Sequence, residues 1–206
     1  MNNKQNGILT YRDDQIKSVE KFLTQDEADK YFNIFLKQIS WKQGHIKLFG
    51  KDVLIPREQC WIADEGITYS YSNKPLQRFP WSKELLELRA RIEDFSSQKF
   101  NSVLANLYRD GNDSMGWHAD NEAELGGNPI IASVSLGAER ALKVRDNKTK
   151  EIITIDQKHG SLLIMQKGMQ STTQHSISKT KLDIGARINL TFRNIIITSK
   201  RSKNER

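Results

Sequence analysis

From residue 101 onward the chain reads as a succession of short β-type segments separated by turns. They lie at 102–108, 130–137, 141–145, 151–156, 161–166 and 187–197, each rich in apolar and β-branched residues. Asp146-Asn147-Lys148-Thr149-Lys150 has the composition of a hairpin loop joining two of them. Most of the connections are too short for a crossover helix, which argues against a parallel α/β sheet. An antiparallel sandwich or jelly roll is the architecture that fits. The sequence shows neither an internal repeat nor a glycine-rich phosphate loop.

The first half has a different character. Thr24-Gln25-Asp26-Glu27 has the form of a capping box, with Thr24 as N-cap and Glu27 at N3. Ala28, Tyr31, Phe32, Phe35, Leu36 and Ile39 then fall on one stripe of a helix of about four turns. A second helix is predicted from 82 to about 97, with Leu85, Leu88, Ile92 and Phe95 on one face. Residues 41–80 between them are turn-rich and aromatic, with short strand-like pieces. Lys47-Leu48-Phe49-Gly50-Lys51 reads as a hairpin tip. The predicted class is α+β, mainly β. Residues 1–20 are expected to be flexible, 21–100 to hold the helices, 101–197 the β half, and 198–206 a basic tail.

At 206 residues the chain suits one compact unit with a real core. Cys60 is the only cysteine, which excludes a disulfide scaffold and Cys-based zinc sites and points to a reducing compartment. No run approaches the ~18 apolar residues of a membrane span, and residues 1–7 lack the apolar core of a signal peptide. The expectation is an intracellular monomer without membrane contact, cytoplasmic in a bacterium or nuclear in a eukaryote. The net charge is +7, and +3 of it sits in the tail on Lys200, Arg201, Lys203 and Arg206 against Glu205. The remainder is too ordinary to identify a polyanion binder by itself.

Chemistry concentrates in three places. In His118-Ala119-Asp120 an imidazole and a carboxylate share one face of extended backbone. A lone His-x-Asp is common and reads equally as a capped surface turn. His175, far along the chain in Gln174-His175-Ser176, changes the balance. Two histidines and one carboxylate fit the facial triad of a non-haem Fe(II) oxygenase, which leaves metal positions open for a co-substrate and dioxygen. His159 and His45 read as turn and surface residues. The third place is 187–193, where Arg187, Asn189, Thr191 and Arg193 alternate with Ile188, Leu190 and Phe192. Two arginines on one strand face are ordinarily solvated. The apolar opposite face and the Ile195-Ile196-Ile197 run place this strand inside the domain. Buried arginines there need anions, and a dicarboxylate co-substrate is the economical candidate.

Asn106-Leu107-Tyr108, His118-Ala119-Asp120, His175 and Arg187-x-Asn189-x-Thr191-x-Arg193, taken in order, resemble the AlkB family of Fe(II)- and 2-oxoglutarate-dependent nucleic-acid dealkylases. The stretches 129–138 and 159–165 look alike as well, and the resemblance covers roughly residues 40–195. It implies a double-stranded β-helix, or jelly roll, with N-terminal helices and a nucleotide-recognition lid. It implies Fe(II) on His118, Asp120 and His175, with 2-oxoglutarate and dioxygen as co-substrates. Asn106 and Tyr108 would hydrogen-bond the 2-oxoglutarate, Arg187 would pair with its distal carboxylate, and Asn189 and Arg193 would line the same pocket.

On the substrate side, Pro56-Arg57-Glu58-Gln59, Tyr69-Ser70-Tyr71-Ser72 and Leu48-Phe49-Gly50-Lys51 resemble the lid of the branch that repairs duplex DNA. Tyr69, Tyr71 and Ser72 would line the pocket of a flipped base, and Leu48-Phe49 would fill the gap left in the stack. Core packing is the competing reading for each tyrosine and for Phe49. Lys42, Lys47, Lys51 and Arg57 against Asp52 give residues 42–57 a local +3 suited to phosphates. Where members of that branch often carry a second acid directly after the metal Asp, this chain has Asn121 and then Glu122. Glu122 is the candidate to take over its part in base preference, with a solvated acid as the competing reading. The activity implied is oxidative demethylation of bases such as 1-methyladenine or 3-methylcytosine in single- or double-stranded DNA, with loss of formaldehyde. RNA or a protein side chain as substrate, and a non-catalytic nucleic-acid-binding module, are the competing readings.

Overall fold

The computed structural model describes residues 3–5, 7–48, 51–71 and 74–196. In chain order the elements are β1 (Asn3–Gln5), β2 (Ile8–Tyr11), β3 (Ile16–Val19), α1 (Gln25–Gln38), β4 (Lys42–Leu48), β5 (Lys51–Ala63), β6 (Ser70–Tyr71), β7 (Lys74–Pro75) and β8 (Arg78–Phe79). Then come α2 (Lys83–Ser96), β9 (Ser102–Tyr108), β10 (Met115–His118), a 3-10 turn (Ala123–Leu125), β11 (Ile131–Gly137), β12 (Arg140–Asp146) and β13 (Ile152–Gln157). The chain closes with β14 (Ser161–Met165), α3 (Met169–Thr172), β15 (Thr173–Ile177) and β16 (Arg187–Arg193).

Two sheets face each other, as in a jelly roll. The larger runs β1-β2-β3-β14-β11-β16-β9-β5-β4, with β8 beside β5; the smaller runs β10-β15-β12-β13. The larger sheet is covered on its outer face by α1 and α2. The capping box starts α1: Thr24 Oγ1 accepts from Glu27 N at 3.3 Å, and Glu27 Oε2 accepts from Thr24 N at 2.8 Å. Ala28 and Phe35 of α1 and Leu85, Leu88 and Ile92 of α2 bury against Ala105, Val134, Ile188, Leu190 and Phe192 of the sheet. Phe95 stays 43% exposed and reaches Phe22 only edge-on, with centroids 5.7 Å apart. A second core fills the space between the sheets, with Ile16, Ile131, Leu163 and Met165 from one side and Leu142, Val144, Ile155 and Ile177 from the other. Among the described residues no helix is long and apolar enough to cross a membrane.

The predicted β segments are present, to within a residue or two except that β16 stops at Arg193. Three features differ from expectation. Residues 8–19 form a hairpin in place of a flexible segment, and β3 pairs with β14 while Ile16 is fully buried. Its strands span four residues each, too short for a period to stand out, and the polar Arg12-Asp13-Asp14 turn between them reads as loop. Residues 51–63 form one long strand that joins β4 to β9, so the first half supplies strands to the same sheet as the second. Pro56 masked it, having no N–H for a ladder. It sits where the β4 register shifts, between the Gln43↔Glu58 and His45↔Leu54 pairs, before pairing with β9 begins at Glu58. β10 and β15, which carry His118 and His175, are strands outside the predicted segments.

Candidate metal centre and co-substrate pocket

β10 ends at His118, and its cross-strand partner on β15 is His175. The two rings sit 4.2 Å apart, centroid to centroid. Two residues further on, the chain turns Asp120 inward to 1% exposure. One ligand atom from each of His118, Asp120 and His175 lies within 4.8 Å of the others. The His118 ring meets the Gly116 carbonyl through Nδ1 at 2.9 Å; that nitrogen therefore carries the proton and Nε2 keeps its lone pair. Burial pushes the His175 pKa down to about 3, helped by its neighbour His118, and burial also lowers that of His118. Both rings are neutral at physiological pH, as metal ligands must be. Burial opposes the Asp120 charge, but Arg193 and then the two histidines outweigh it and hold the carboxyl below its usual range.

Asp120 is fixed from two sides. Arg193 Nη2 donates to its Oδ1 at 2.6 Å in a pair that is almost fully buried. The side-chain oxygen of Gln170, on α3, accepts from its backbone N–H at 2.9 Å. Arg193 lines the pocket as expected, and its carboxylate partner is the metal-site aspartate.

The alternation of β16 is realised. Ile188, Leu190 and Phe192 face the helices, while Arg187, Asn189, Thr191 and Arg193 line the pocket between the sheets. Arg187 stands opposite Tyr108 and Asn189 opposite Asn106, so the two arms of the predicted co-substrate site meet across one ladder. Arg187 is 2% exposed, with Cζ 5.1 Å from the Tyr108 ring centroid. Its Nη2 donates to Ser135 Oγ at 2.7 Å and Asn189 Oδ1 at 2.8 Å, whereas Nε and Nη1 find no hydrogen-bond acceptor among the described residues. Burial pushes its pKa down to about 10, partly opposed by Tyr108. Asn189 spends its amide inside the protein: Oδ1 also accepts from Ser133 Oγ at 3.0 Å, and Nδ2 donates to Thr191 Oγ1 at 2.8 Å. It orients Arg187. Gly137, with φ +87°, closes β11 opposite Arg187; a side chain there would strike Phe32 and the Ala186 backbone.

These residues fit Fe(II) and 2-oxoglutarate. Two neutral imidazoles and one carboxylate are the donor set of an open iron site. A buried guanidinium with unused N–H donors is a seat for a carboxylate.

Tyr69 is 2% exposed, its ring centroid 5.8 Å from Trp61 and 5.9 Å from Arg193 Cζ. Burial raises the pKa of both Tyr69 and Glu122. The Tyr69 hydroxyl and Glu122 Oε2 influence each other's ionisation, yet both are buried without closing a hydrogen bond to a described residue. Tyr71 lies on β6 and Lys51 opens β5, while Phe49, Gly50 and Ser72 lie outside the described residues. Arg57 does not have the posture of a phosphate contact. It is 3% exposed, and its Nε donates to Asn106 Oδ1 at 2.9 Å. A charge count along residues 42–57 takes every basic residue as exposed, and the inward face of β5 breaks that assumption. His159 is also more than a turn residue: its Nδ1 accepts from Gly137 N at 2.7 Å. Ser135 and Gln170 escaped the sequence reading. The Ser133/Ser135 alternation in an otherwise apolar segment was an available signal for the first; Gln170 had none.

A family model described as the 2OG-Fe(II) oxygenase superfamily matches residues 15–193. The chain is 37% identical over 187 residues to the DNA oxidative demethylase ALKBH2 of Bos taurus, covering 85% of this chain and 67% of that protein. It is 36% identical over 184 residues to the alpha-ketoglutarate-dependent dioxygenase alkB homolog 3 of Mus musculus, covering 84% and 64%. The solved structure of OsALKBH1 superposes with a TM-score of 0.59 at 19% identity, over 91% of this chain and 99% of that one, a likeness of fold. With the trio, the buried arginine and the facing sheets in place, the chain belongs to the 2OG-Fe(II) oxygenase superfamily, whose cofactor is Fe(II) and whose co-substrates are 2-oxoglutarate and dioxygen.

Proposed function

We propose that this chain oxidatively demethylates N-alkylated bases in DNA, of the 1-methyladenine and 3-methylcytosine type, as a direct-reversal repair enzyme. The observation that carries the chemistry is the meeting, in one pocket, of the His118–Asp120–His175 trio with a buried Arg187 whose Nε and Nη1 lack acceptors among the described residues. The DNA substrate is supported by relatives named DNA oxidative demethylase at 36–37% identity. The lid segments that resemble the duplex branch support it too.

His118, Asp120 and His175 would hold Fe(II), which with 2-oxoglutarate and dioxygen would supply the oxidation of the N-methyl group to a hydroxymethyl that leaves as formaldehyde. The side chains bind and orient. Arg187 would hold the distal carboxylate of 2-oxoglutarate, and Asn106 and Tyr108 would hydrogen-bond the 2-oxoglutarate. Arg193 and Gln170 keep Asp120 in place. Tyr69 and Glu122 would line the base pocket, where a carboxylate oxygen with no partner among the described residues can accept an exocyclic N–H. Phe49, between Lys47 and Lys51, is the proposed wedge that fills the stack while its neighbours hold phosphates.

The test is mass spectrometry of methylated oligonucleotides, single- and double-stranded DNA and RNA, after incubation with Fe(II), 2-oxoglutarate and ascorbate. Loss of one methylene from the DNA, with formaldehyde released, is expected. Co-substrate turnover with every methylated DNA left intact would refute the substrate assignment, and demethylation confined to RNA would replace it.

A further inference from the structure

We infer that Arg57 is a positioning residue for the co-substrate, acting by locking the Asn106 amide with its N–H donors turned into the pocket. This rests on the reading that Asn106 contacts 2-oxoglutarate. Arg57 belongs to β5, the strand that follows the proposed lid tip, and it sits beside the Gln59↔Asn106 and Glu58↔Leu107 pairs with β9. Its side chain is 3% exposed. Nε donates to Asn106 Oδ1 at 2.9 Å, and Nη1 donates to the carbonyl of Ser114 at 3.3 Å. Ser114 directly precedes β10, the strand that ends in His118, and its own N–H is held by Pro56 O at 2.9 Å. One guanidinium thus ties together the lid strand, the strand bearing Asn106 and the strand bearing a metal ligand.

The chemistry of the pair sets the direction of the amide. Asn carries one acceptor oxygen and one NH2 donor, which are close to isosteric, so an unconstrained amide can flip. Arginine only donates. With Arg57 beside it, the Asn106 oxygen must face Arg57, and Nδ2 must face away. Asn106 is 5% exposed and lines the pocket, and among the described residues nothing accepts from its Nδ2. The orientation Arg57 enforces is the one an anionic co-substrate needs. The flipped amide would set an oxygen against a carboxylate. Among the described residues no carboxylate pairs with Arg57, so its charge is spent on the site rather than on a structural ion pair.

Affinity for 2-oxoglutarate of the Mn(II)-loaded protein, measured by calorimetry without turnover, tests this in Arg57→Met, Arg57→Lys, Asn106→Ala and the Arg57→Met/Asn106→Ala double variant. Melting curves accompany each. Arg57→Met should weaken binding about tenfold, and Arg57→Lys, still a donor, should recover most of it. In the Asn106→Ala background the Arg57→Met change should cost nothing further, because its effect passes through that amide. If Arg57→Met does not fold, Arg57→Gln, too short to reach Asn106, takes its place. Wild-type affinity in Arg57→Met, or a loss that adds in full to that of Asn106→Ala, overturns the inference. So does a raised KM for DNA with unchanged 2-oxoglutarate binding, the mark of a phosphate contact. Unchanged affinity in Asn106→Ala alone removes the co-substrate role of Asn106 itself, a separate and visible failure.

Discussion

Replacing Arg187 by methionine should move stability and binding in opposite directions. Burial lowers the Arg187 pKa from its ordinary value to about 10. At about 1.4 kcal/mol per unit, this is roughly 3 kcal/mol against the fold. A cation with a depressed folded-state pKa burdens the native state below that pKa, and the burden fades as pH climbs toward the ordinary value. At neutral pH it is fully present. Methionine removes the charge and keeps much of the volume, while the hydrogen bonds to Ser135 and Asn189 are lost, at roughly 1 kcal/mol each. The ligand-free variant should therefore match the wild type or gain about 1 kcal/mol, a rise of roughly 2–4 °C in Tm. Binding loses a charge-assisted anchor, about 1.5–3 kcal/mol, or roughly 10- to 150-fold in 2-oxoglutarate affinity. Thermal melts of the Mn(II)-loaded proteins, with and without 2-oxoglutarate, read both effects. At 100 times its Kd the co-substrate should stabilise the wild type by about 2.7 kcal/mol and the variant by far less at the same concentration. Arg187→Lys should recover part of the binding, since a point charge cannot copy the planar donor array. A ligand-free Arg187→Met that lost more than about 2 kcal/mol while keeping the 2-oxoglutarate shift would refute the reasoning.

His118→Ala, Asp120→Ala and His175→Ala should each abolish turnover and Mn(II) binding while leaving the melting curve of the metal-free protein cooperative; near-wild-type 2-oxoglutarate decarboxylation in any of them would contradict the metal assignment. Gln170→Leu should weaken Mn(II) affinity, because the Asp120 backbone loses its acceptor, and Gln170→Glu, which can still accept that N–H, should bind the metal more tightly than Gln170→Leu. Cys60 is 4% exposed and burial pushes its thiol up to about 11, so iodoacetamide at pH 8 should label it only after denaturation. Labelling of the native protein at the rate of a free thiol would count against that burial.

What was legible in the sequence is what a strict period or a scarce residue type encodes. β16 announced both of its faces, because seven residues of alternation cannot be satisfied by a helix. The metal trio could be picked out because only four histidines exist and one of them shares a face with a carboxylate. The capping box placed the start of α1 to the residue. What stayed hidden was hidden for definable reasons. β5 carries Pro56, Arg57, Glu58 and Gln59 in a row, a composition that reads as loop until β4 and β9 are seen on either side of it. The direction in which Arg57 points is a tertiary fact, as is the reach of Gln170 to a backbone 50 residues away. No local pattern encodes either.

The two faces of the larger sheet divide the work. On the outer face, Ile188, Leu190 and Phe192 close against α1 and α2 in a continuous apolar core. On the inner face, Arg57, Arg187 and Arg193 are all buried, and the buried carboxylate there, Asp120, is paired by Arg193. A buried site with more guanidinium than carboxylate is unfavourable to fold and favourable to anions. A dianionic co-substrate bound beside Arg187 would relieve the surplus there. Asp120, the carboxylate that would hold the metal, is fixed by Arg193 and Gln170. Because β16 carries both faces on alternate residues, the apolar core that offsets the buried charge also sets the spacing of Arg187 and Arg193 along the pocket wall. Trimming Phe192 or Leu190 therefore acts on the site as well as on stability, although neither side chain reaches it.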